Sequence, residues 1–207
     1  MQDFQRNAGL TADGVCGPRT VGTLALVGRQ SGTGPGVASV RESEAMESQM
    51  ALHTLRIVIG QFGGLSSITR ALSRALREHG ATVMSTDEYE AAAQAAAANR
   101  FGATLYIGFE AVANERSVVS YFAVPTFESV GGRAVADATV RSLTGVLDVP
   151  PSLHGMRLPV LRETRMPAVL LSLGPVRAVV DHTDVITVAV VEAIATWAAS
   201  PLGTLAR

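Results

Sequence analysis

Short apolar runs alternate with amphipathic segments along residues 52–207 of this 207-residue chain. Each run is bounded by glycine or polar residues and is too short for a buried helix, which predicts a strand buried on both faces of a sheet. Residues 55–60 and 168–173 fit this description, and residues 81–86 and 104–111 are predicted to be two further strands. Residues 117–124 alternate apolar and polar side chains, which is typical of an antiparallel strand at a sheet edge.

The segments between these runs carry helix signals. Residues 66–79 have one apolar stripe at helical spacing, and Gly80 follows as the residue that ends the helix. Asp87 and Glu90 predict a capping box for the next helix, which Gly102 ends. Further helices are predicted at residues 132–147 and 182–199, and residues 160–161 are predicted to be strand. This alternation predicts an α/β fold: a three-layer α/β/α sandwich with a mostly parallel sheet.

Composition and charge narrow the class of protein. Hydrophobic residues make up 47% of the chain and the formal net charge is −1, which describes a globular protein without the basic footprint of a nucleic-acid or anionic-membrane partner. Cys16 is the sole cysteine, so no internal disulfide can form. Residues 185–199 form the longest apolar stretch, which is too short for a membrane span and is interrupted by Glu192. The first residues lack the apolar core of a secretory signal, so we expect a cytoplasmic protein.

The first 27 residues carry two tight-turn signals, Asp13-Gly14 and Gly17-Pro18, and the proline is placed to begin a helix. Residues 4–24, with the pattern FQ, GL, DG, GP and a final leucine, resemble the second half of a peptidoglycan-binding repeat. The resemblance implies a small helical fragment that binds peptidoglycan. The helix that normally opens the repeat is missing, so we expect the true start to lie upstream of Met1. Residues 28–51 are predicted to be a linker, glycine-rich in the first half, and residues 52–207 the main domain.

Residues 160–174 carry a second resemblance. They contain VLR followed by PAVLLSLG and are similar to the last sheet strand of zinc-dependent N-acetylmuramoyl-L-alanine amidases of the Amidase_3 group. That family holds zinc through His, Glu and His, and a further Glu activates the bound water, so the resemblance implies a zinc-hydrolase scaffold. The two histidines and the catalytic glutamate match Phe62, Glu110 and Ser172. The loop that carries the glutamate ligand is missing, and Ser66 nearby is predicted to be a helix N-cap.

These replacements decide the predicted function. A phenyl ring cannot bind zinc and a serine hydroxyl cannot act as a general base, so no catalytic residue is intact and no cofactor is expected. We predict a regulatory pseudoenzyme of the amidase family that binds peptidoglycan, a cell-wall precursor or a cell-wall-synthesis protein. The candidate ligand-binding residues are Glu110, His154, Arg157, Arg162, Arg165 and Ser172.

Alternatives stay open on the sequence alone. One is an active zinc-dependent N-acetylmuramoyl-L-alanine amidase with a rearranged site, built on Glu110 and His154, that cleaves the lactyl-peptide amide of peptidoglycan. Another is a decayed relic without a selected role. A serine hydrolase is disfavoured because Ser172 lies in no G-x-S-x-G motif and has no base adjacent in sequence. Arg157, Arg162 and Arg165 are expected to cluster near the pocket beside Ser172, where they could pair with a carboxylate or phosphate. Ordinary surface charge explains these arginines equally well, and His154 is predicted to lie in a loop.

Overall fold

The computed structural model describes residues 1, 2, 5, 13–18, 20, 21, 50–125 and 127–201. The chain divides into two compact units, residues 1–38 and residues 39–207. Residues 28–49, which make up most of the predicted linker, lie outside the described residues. The predicted boundaries at residues 27 and 51 therefore stay predictions.

One glutamine side chain joins the turns of the first unit. Gln5 is buried, and its Nε2 donates hydrogen bonds to Asp13 Oδ1 at 2.8 Å and to the carbonyl oxygen of Val15 at 2.9 Å. Hydrogen bonds lower the pKa of the Asp13 carboxyl; the bond from the Val15 amide has the largest effect, and the bond from the Gln5 side chain comes next. Gly14 has a φ of 79°, and its amide donates to Gln5 Oε1 at 2.8 Å, as expected of the predicted tight turn. Pro18 is helical, as predicted.

The second unit is built on a seven-stranded sheet. The strands are β1 Arg56–Phe62, β2 Thr82–Thr86, β3 Leu105–Ala111, β4 Val118–Val124, β5 Phe127–Glu128, β6 Ser152–Met156 and β7 Ala168–Leu173. Their order is β2-β1-β3-β7-β4-β5, and β6 also pairs with β4. The four predicted apolar runs form the parallel strands β1, β2, β3 and β7. β2 lies at the lateral edge of the sheet and is partly exposed.

Helices cover both faces of this sheet. The helices are α1 Ser66–Glu78, α2 Ala91–Phe101, α3 Val130–Leu143, α4 Pro159–Glu163, α5 Val176–Asp181 and α6 Thr183–Ala199. Gly80 (φ 87°) and Gly102 (φ 64°) follow α1 and α2 in the left-handed conformation, which confirms both predicted helix ends. Within the described part of the chain, no helix has the length and apolar character needed to cross a membrane.

The two faces of the sheet carry separate apolar cores. On one face, side chains of the central strands pack with α1, α3 and α6, and this core includes the buried Leu72 and Trp197. On the other face, α2 and α4 cover Val58, Tyr106 and Leu170. Each fully buried leucine stabilises the fold by about 1.5–3 kcal/mol relative to an exposed one. The arrangement is the predicted three-layer α/β/α sandwich.

The predicted capping box before α2 is wrong. The helix begins at Ala91, and Glu90 occupies the N-cap position without a side-chain cap. Gln94 Nε2 instead donates to the carbonyl oxygen of Glu88 at 2.6 Å, and this bond holds the preceding loop outside the helix. Asp87 therefore lies too far from the first helical turn to cap it.

Three predictions in the second half of the sheet are also wrong. Residues 160–161 lie in α4, because Pro159 occupies the first turn of a short helix. Residues 152–156 form β6, which pairs with β4 in parallel, where a loop was predicted. Since β4 lies between β6 and β7, it is not an edge strand, although it runs antiparallel to β7 as predicted.

Candidate functional site

The three residues that match the family's catalytic positions lie side by side on the sheet. In the parallel register Phe62 of β1 pairs with Glu110 of β3, and Glu110 pairs with Ser172 of β7. Because side chains alternate between the faces of a strand, all three lie on the face that α2 and α4 cover, near the carboxyl ends of the strands. All three are half-buried. This set is called the Phe62–Glu110–Ser172 row below.

A hydrogen bond joins the two polar members of the row. The Ser172 hydroxyl donates to Glu110 Oε2 at 2.8 Å. An ionised carboxylate has about four acceptor sites, so Glu110 can accept further hydrogen bonds from a ligand. Phe62, which packs against the core under α2 and α4, adds an apolar surface beside the carboxylate. The row can therefore bind a group that offers N–H or O–H donors next to an apolar part.

The same hydrogen bond gives Ser172 a neighbouring carboxylate, which the sequence did not reveal. A nucleophilic serine would use such a group as a base. However, Ser172 lies inside β7, where it pairs with Glu110 on one side and with Val118 on the other. A nucleophile elbow instead places serine on a strained turn after a strand. The geometry favours Ser172 as a hydrogen-bonding residue.

A buried polar network supports the row. Gln94 is fully buried; its Nε2 donates to the carbonyl oxygen of Gln61 at 3.0 Å, and its Oε1 accepts from the Tyr106 hydroxyl at 2.7 Å. Burial raises the pKa of Tyr106, so the phenol stays protonated and remains a donor. A Cβ at position 60 would collide with the side chains of Gln94 and Tyr106, so Gly60 is required there. The network thereby fixes the end of β1 that carries Phe62.

The turn after β1 is short and contains no metal ligand. Gly63 and Gly64 follow Phe62 with φ values of 78° and 72°, a conformation that favours glycine. α1 then begins at Ser66, whose Oγ accepts a hydrogen bond from Gln61 Nε2 at 3.2 Å. The N-cap is Leu65, so the prediction that Ser66 caps the helix is wrong. The first turn of α1 contains no acidic residue, where the resemblance implies the family's glutamate ligand.

The residues of the row do not fit a zinc ion. A hydrolytic zinc site uses three protein ligands, drawn from His, Cys, Asp and Glu, and the row supplies one carboxylate. Over the residues that the structure describes, no three or more His, Cys, Asp or Glu side chains are grouped to hold a metal ion. The expectation that the chain uses no cofactor stays a prediction.

His154 lies apart from the row. It belongs to β6, where it pairs with Ser120 of β4, and its side chain is exposed. The predicted loop position is therefore wrong. β7 and β4 lie between β3 and β6, and three strand spacings separate Glu110 from His154 by about 14 Å across the sheet. The structure does not bring this pair together.

The three candidate arginines lie at the opposite end of the strands from the row, where β7 begins and β6 ends. Arg165 precedes β7, and the four steps along that strand from Ala168 to Ser172 span about 13 Å. Arg157 follows β6, which runs opposite to β7 and so ends at the same edge. Arg162 lies in the last turn of α4. The expectation that these arginines lie near the pocket beside Ser172 is corrected by this placement.

A cleft that the sequence did not reveal lies beyond the carboxyl end of β7. Its volume is about 150 Å³. The residues that line it come from three separate segments and include Glu115, Ser117, Asp148, Gly174, Pro175 and His182. A Cβ at position 174 would collide with the carbonyl oxygens of Val112 and Asn114, which explains the glycine. In the sequence, the adjacent Gly174 and Pro175 indicate a turn after β7, and no other local pattern marks the cleft.

Sequence comparison finds a relative among the N-acetylmuramoyl-L-alanine amidases, the family to which the sequence motifs showed a resemblance. The chain is 31% identical over 209 residues to the N-acetylmuramoyl-L-alanine amidase CwlM of Mycobacterium tuberculosis. The match covers 84% of this chain and 50% of the relative, so the chain spans about half the length of that protein. No protein-family model matches the chain.

Solved structures of amidases share the fold. The N-acetylmuramoyl-L-alanine amidase from Clostridium difficile 630 has a TM-score of 0.61 at 15% identity, over 72% of this chain and 97% of that one. The CwlD amidase from Clostridioides difficile, in complex with the GerS lipoprotein, has a TM-score of 0.52 at 12% identity, over 70% and 98%. The chain thus has the α/β fold of N-acetylmuramoyl-L-alanine amidases, and the comparisons support a relationship to that family.

Proposed function

We propose that this chain is a non-catalytic relative of the N-acetylmuramoyl-L-alanine amidases. It binds peptidoglycan, a cell-wall precursor or a cell-wall-synthesis protein, and acts as a regulator. The observation that carries the proposal is the hydrogen bond between Ser172 Oγ and Glu110 Oε2 at 2.8 Å. Two positions that match zinc-site residues of the family are thus occupied by a hydrogen-bonded pair, which suits recognition of a polar ligand better than activation of water.

The chemistry of the row suits a muramoyl peptide. Such a ligand offers amide N–H and hydroxyl donors to Glu110 and an apolar lactyl methyl group to Phe62. The half-buried position of the row leaves it accessible while removing part of the competing water. Hydrogen bonds to a charged carboxylate contribute about 1.5–3 kcal/mol each, so a few such contacts give a specific but moderate affinity.

The first unit supports a role at peptidoglycan. Its Gln5 side chain bonds to Asp13, Gly14 and Val15, so the glutamine and turn residues of the repeat-like pattern meet in one hydrogen-bonded cluster. We assign this unit as part of a peptidoglycan-binding repeat. A protein partner is supported separately by CwlD, the amidase of the same fold that was solved together with a lipoprotein.

Metal content and hydrolysis test the non-catalytic proposal. The full chain is incubated with excess zinc, desalted and assayed for zinc by elemental analysis, and then mixed with muropeptides. We expect less than stoichiometric zinc and no release of stem peptide. One bound zinc per chain, together with release that a chelator and Glu110→Gln both abolish, would establish the rearranged amidase instead.

Binding to muramoyl dipeptide tests the row as the ligand site. We expect Glu110→Ala to weaken binding by at least fivefold in calorimetry, because it removes the acceptor. Glu78→Ala is the matched control, since Glu78 is an exposed glutamate at the end of α1 and at the other edge of the sheet. If the two variants behave alike, the row is not the site that binds muramoyl peptide.

A further inference from the structure

Two helices, α2 and α4, meet at one asparagine near the amino end of β7. Asn99 of α2 donates through Nδ2 to the carbonyl oxygen of Glu163 at 2.8 Å, and its Oδ1 accepts from the amide of Arg165 at 3.0 Å. Arg100 follows Asn99 in the chain, and Arg162 precedes Glu163. All three arginines are exposed. The asparagine thus holds two arginine-bearing segments, the end of α2 and residues 162–165, in fixed positions.

A fourth arginine belongs to the same region. Arg157 follows β6, is exposed, and lies at the edge where β7 begins. Four residues are called the basic surface here: Arg100, Arg157, Arg162 and Arg165. Met156 beside it is 40% exposed, and Leu158 is half-buried. Protein interfaces are enriched in arginine and methionine, so this composition is typical of a contact surface.

The basic surface has little acidic charge of its own. Glu163 is the one acidic residue in α2, α4 and β6, and it pairs with Arg162. An exposed pair of this kind contributes about 0–1 kcal/mol, so a partner's carboxylate can replace it at small cost. No ion pair within the described residues involves Arg100, Arg157 or Arg165. Because the formal net charge of the chain is −1, this positive charge is local.

We propose that the basic surface binds an acidic segment of a protein partner. The guanidinium groups pair with clustered Asp and Glu carboxylates, for which arginine has the matching two-donor geometry. A nucleic acid fits less well, because four arginines on a chain of net negative charge give weak long-range attraction to a polyanion. The surface lies at the opposite edge of the sheet from the Phe62–Glu110–Ser172 row. The inference therefore goes beyond the proposed function and does not depend on what the row binds.

Peptide binding with matched charge reversals tests the proposal. The full chain is titrated into a fluorescent peptide of eight glutamates, and anisotropy is measured at 50 and 300 mM NaCl. We expect saturable binding that weakens with salt. Arg100→Glu combined with Arg165→Glu lowers the affinity at least tenfold. The control combines Arg70→Glu with Arg74→Glu, two exposed arginines of α1 on the other face of the sheet, and changes the affinity less than twofold.

Two controls accompany the experiment: a test that each variant is folded and a comparison with other anionic ligands. The fluorescence of the buried Trp197 shows whether each variant is folded. If the variant with Arg100→Glu and Arg165→Glu is unfolded, the variant with Arg100→Gln and Arg165→Gln is measured in its place. Equal losses in the two double variants, or no binding by the unmodified chain, would overturn the proposal. Binding of a DNA oligonucleotide or of phosphatidylglycerol vesicles that equals peptide binding and is lost in the same variant would overturn the assignment to a protein partner.

Discussion

Tyr106 illustrates how one buried polar side chain supports the candidate site. Its hydroxyl donates to Gln94 Oε1 at 2.7 Å, and Gln94 in turn bonds to the backbone of β1. Tyr106→Phe leaves the buried Oε1 without its donor, which costs about 1–3 kcal/mol in the free energy of unfolding. Urea unfolding followed by Trp197 fluorescence measures this loss. Tyr89→Phe is the control, because that side chain is 91% exposed, and an equal loss there would contradict the expectation.

The raised pKa of Tyr106 predicts a pH dependence of stability. Burial keeps the phenol protonated in the folded state, whereas an unfolded tyrosine titrates near pH 10. The stabilising contribution is therefore complete below about pH 10 and is lost as the pH rises above that value. Between about pH 10 and 11.5, we expect the free energy of unfolding to fall more steeply for the unmodified chain than for Tyr106→Phe. Parallel curves would mean that Tyr106 is not buried as a neutral phenol.

Among the elements, α3 has a side-chain cap that α1 lacks. Ser129 Oγ accepts a hydrogen bond from the Gly132 amide at 3.0 Å, whereas Ser66 lies inside α1. Ser129→Ala is expected to lower the free energy of unfolding by about 1 kcal/mol. Ser66→Ala is expected to change it by less than about 0.5 kcal/mol. Urea unfolding of both variants compares these costs; a larger loss for Ser66→Ala would reverse the assignment of the caps.

Helix and strand positions were predicted correctly where they depend on the residues at that position and its immediate neighbours. Gly80 and Gly102 end their helices as predicted, because the left-handed conformation is a property of the residue itself. The capping box at Asp87 and Glu90 failed because Gln94, a residue further along, bonds to the preceding loop. The prediction of strand at residues 160–161 failed because two apolar residues are too few to distinguish a strand from a helix. Pro159 occupies the first turn of a helix there.

At the scale of the whole molecule, two apolar layers share one sheet, and we expect residues 52–201 to unfold together. Leu72→Ala affects one layer and Leu161→Ala the other, and both side chains are buried. Each substitution is expected to cost about 2–5 kcal/mol and to shift the same transition. Trp197 fluorescence and far-ultraviolet circular dichroism report that transition. If Leu161→Ala left the fluorescence midpoint unchanged, the two layers would unfold separately.

The distribution of charge is also a property of the whole molecule. The formal net charge of the chain is −1, but its charges are unevenly distributed. The four arginines of the basic surface lie at the amino ends of the parallel strands, and carboxylates such as Glu110, Glu115 and Asp148 lie near the carboxyl ends. Three of these arginines were predicted to lie near Ser172 because they are close to it in sequence. The direction of β6 and β7 places them at the opposite edge.

The sequence by itself determined the α/β class and the parallel strands, because apolar periodicity and turn glycines act over a few residues. The positions that match the amidase family came from the resemblance of its motifs to that family. The tertiary structure decided which of these residues meet. Glu110 and Ser172 are 62 residues apart and pair through the register of β3 and β7, while Glu110 and His154 are kept apart by the strand order. Pairing of parallel strands joins segments across long crossovers, and no local pattern encodes which strands become neighbours.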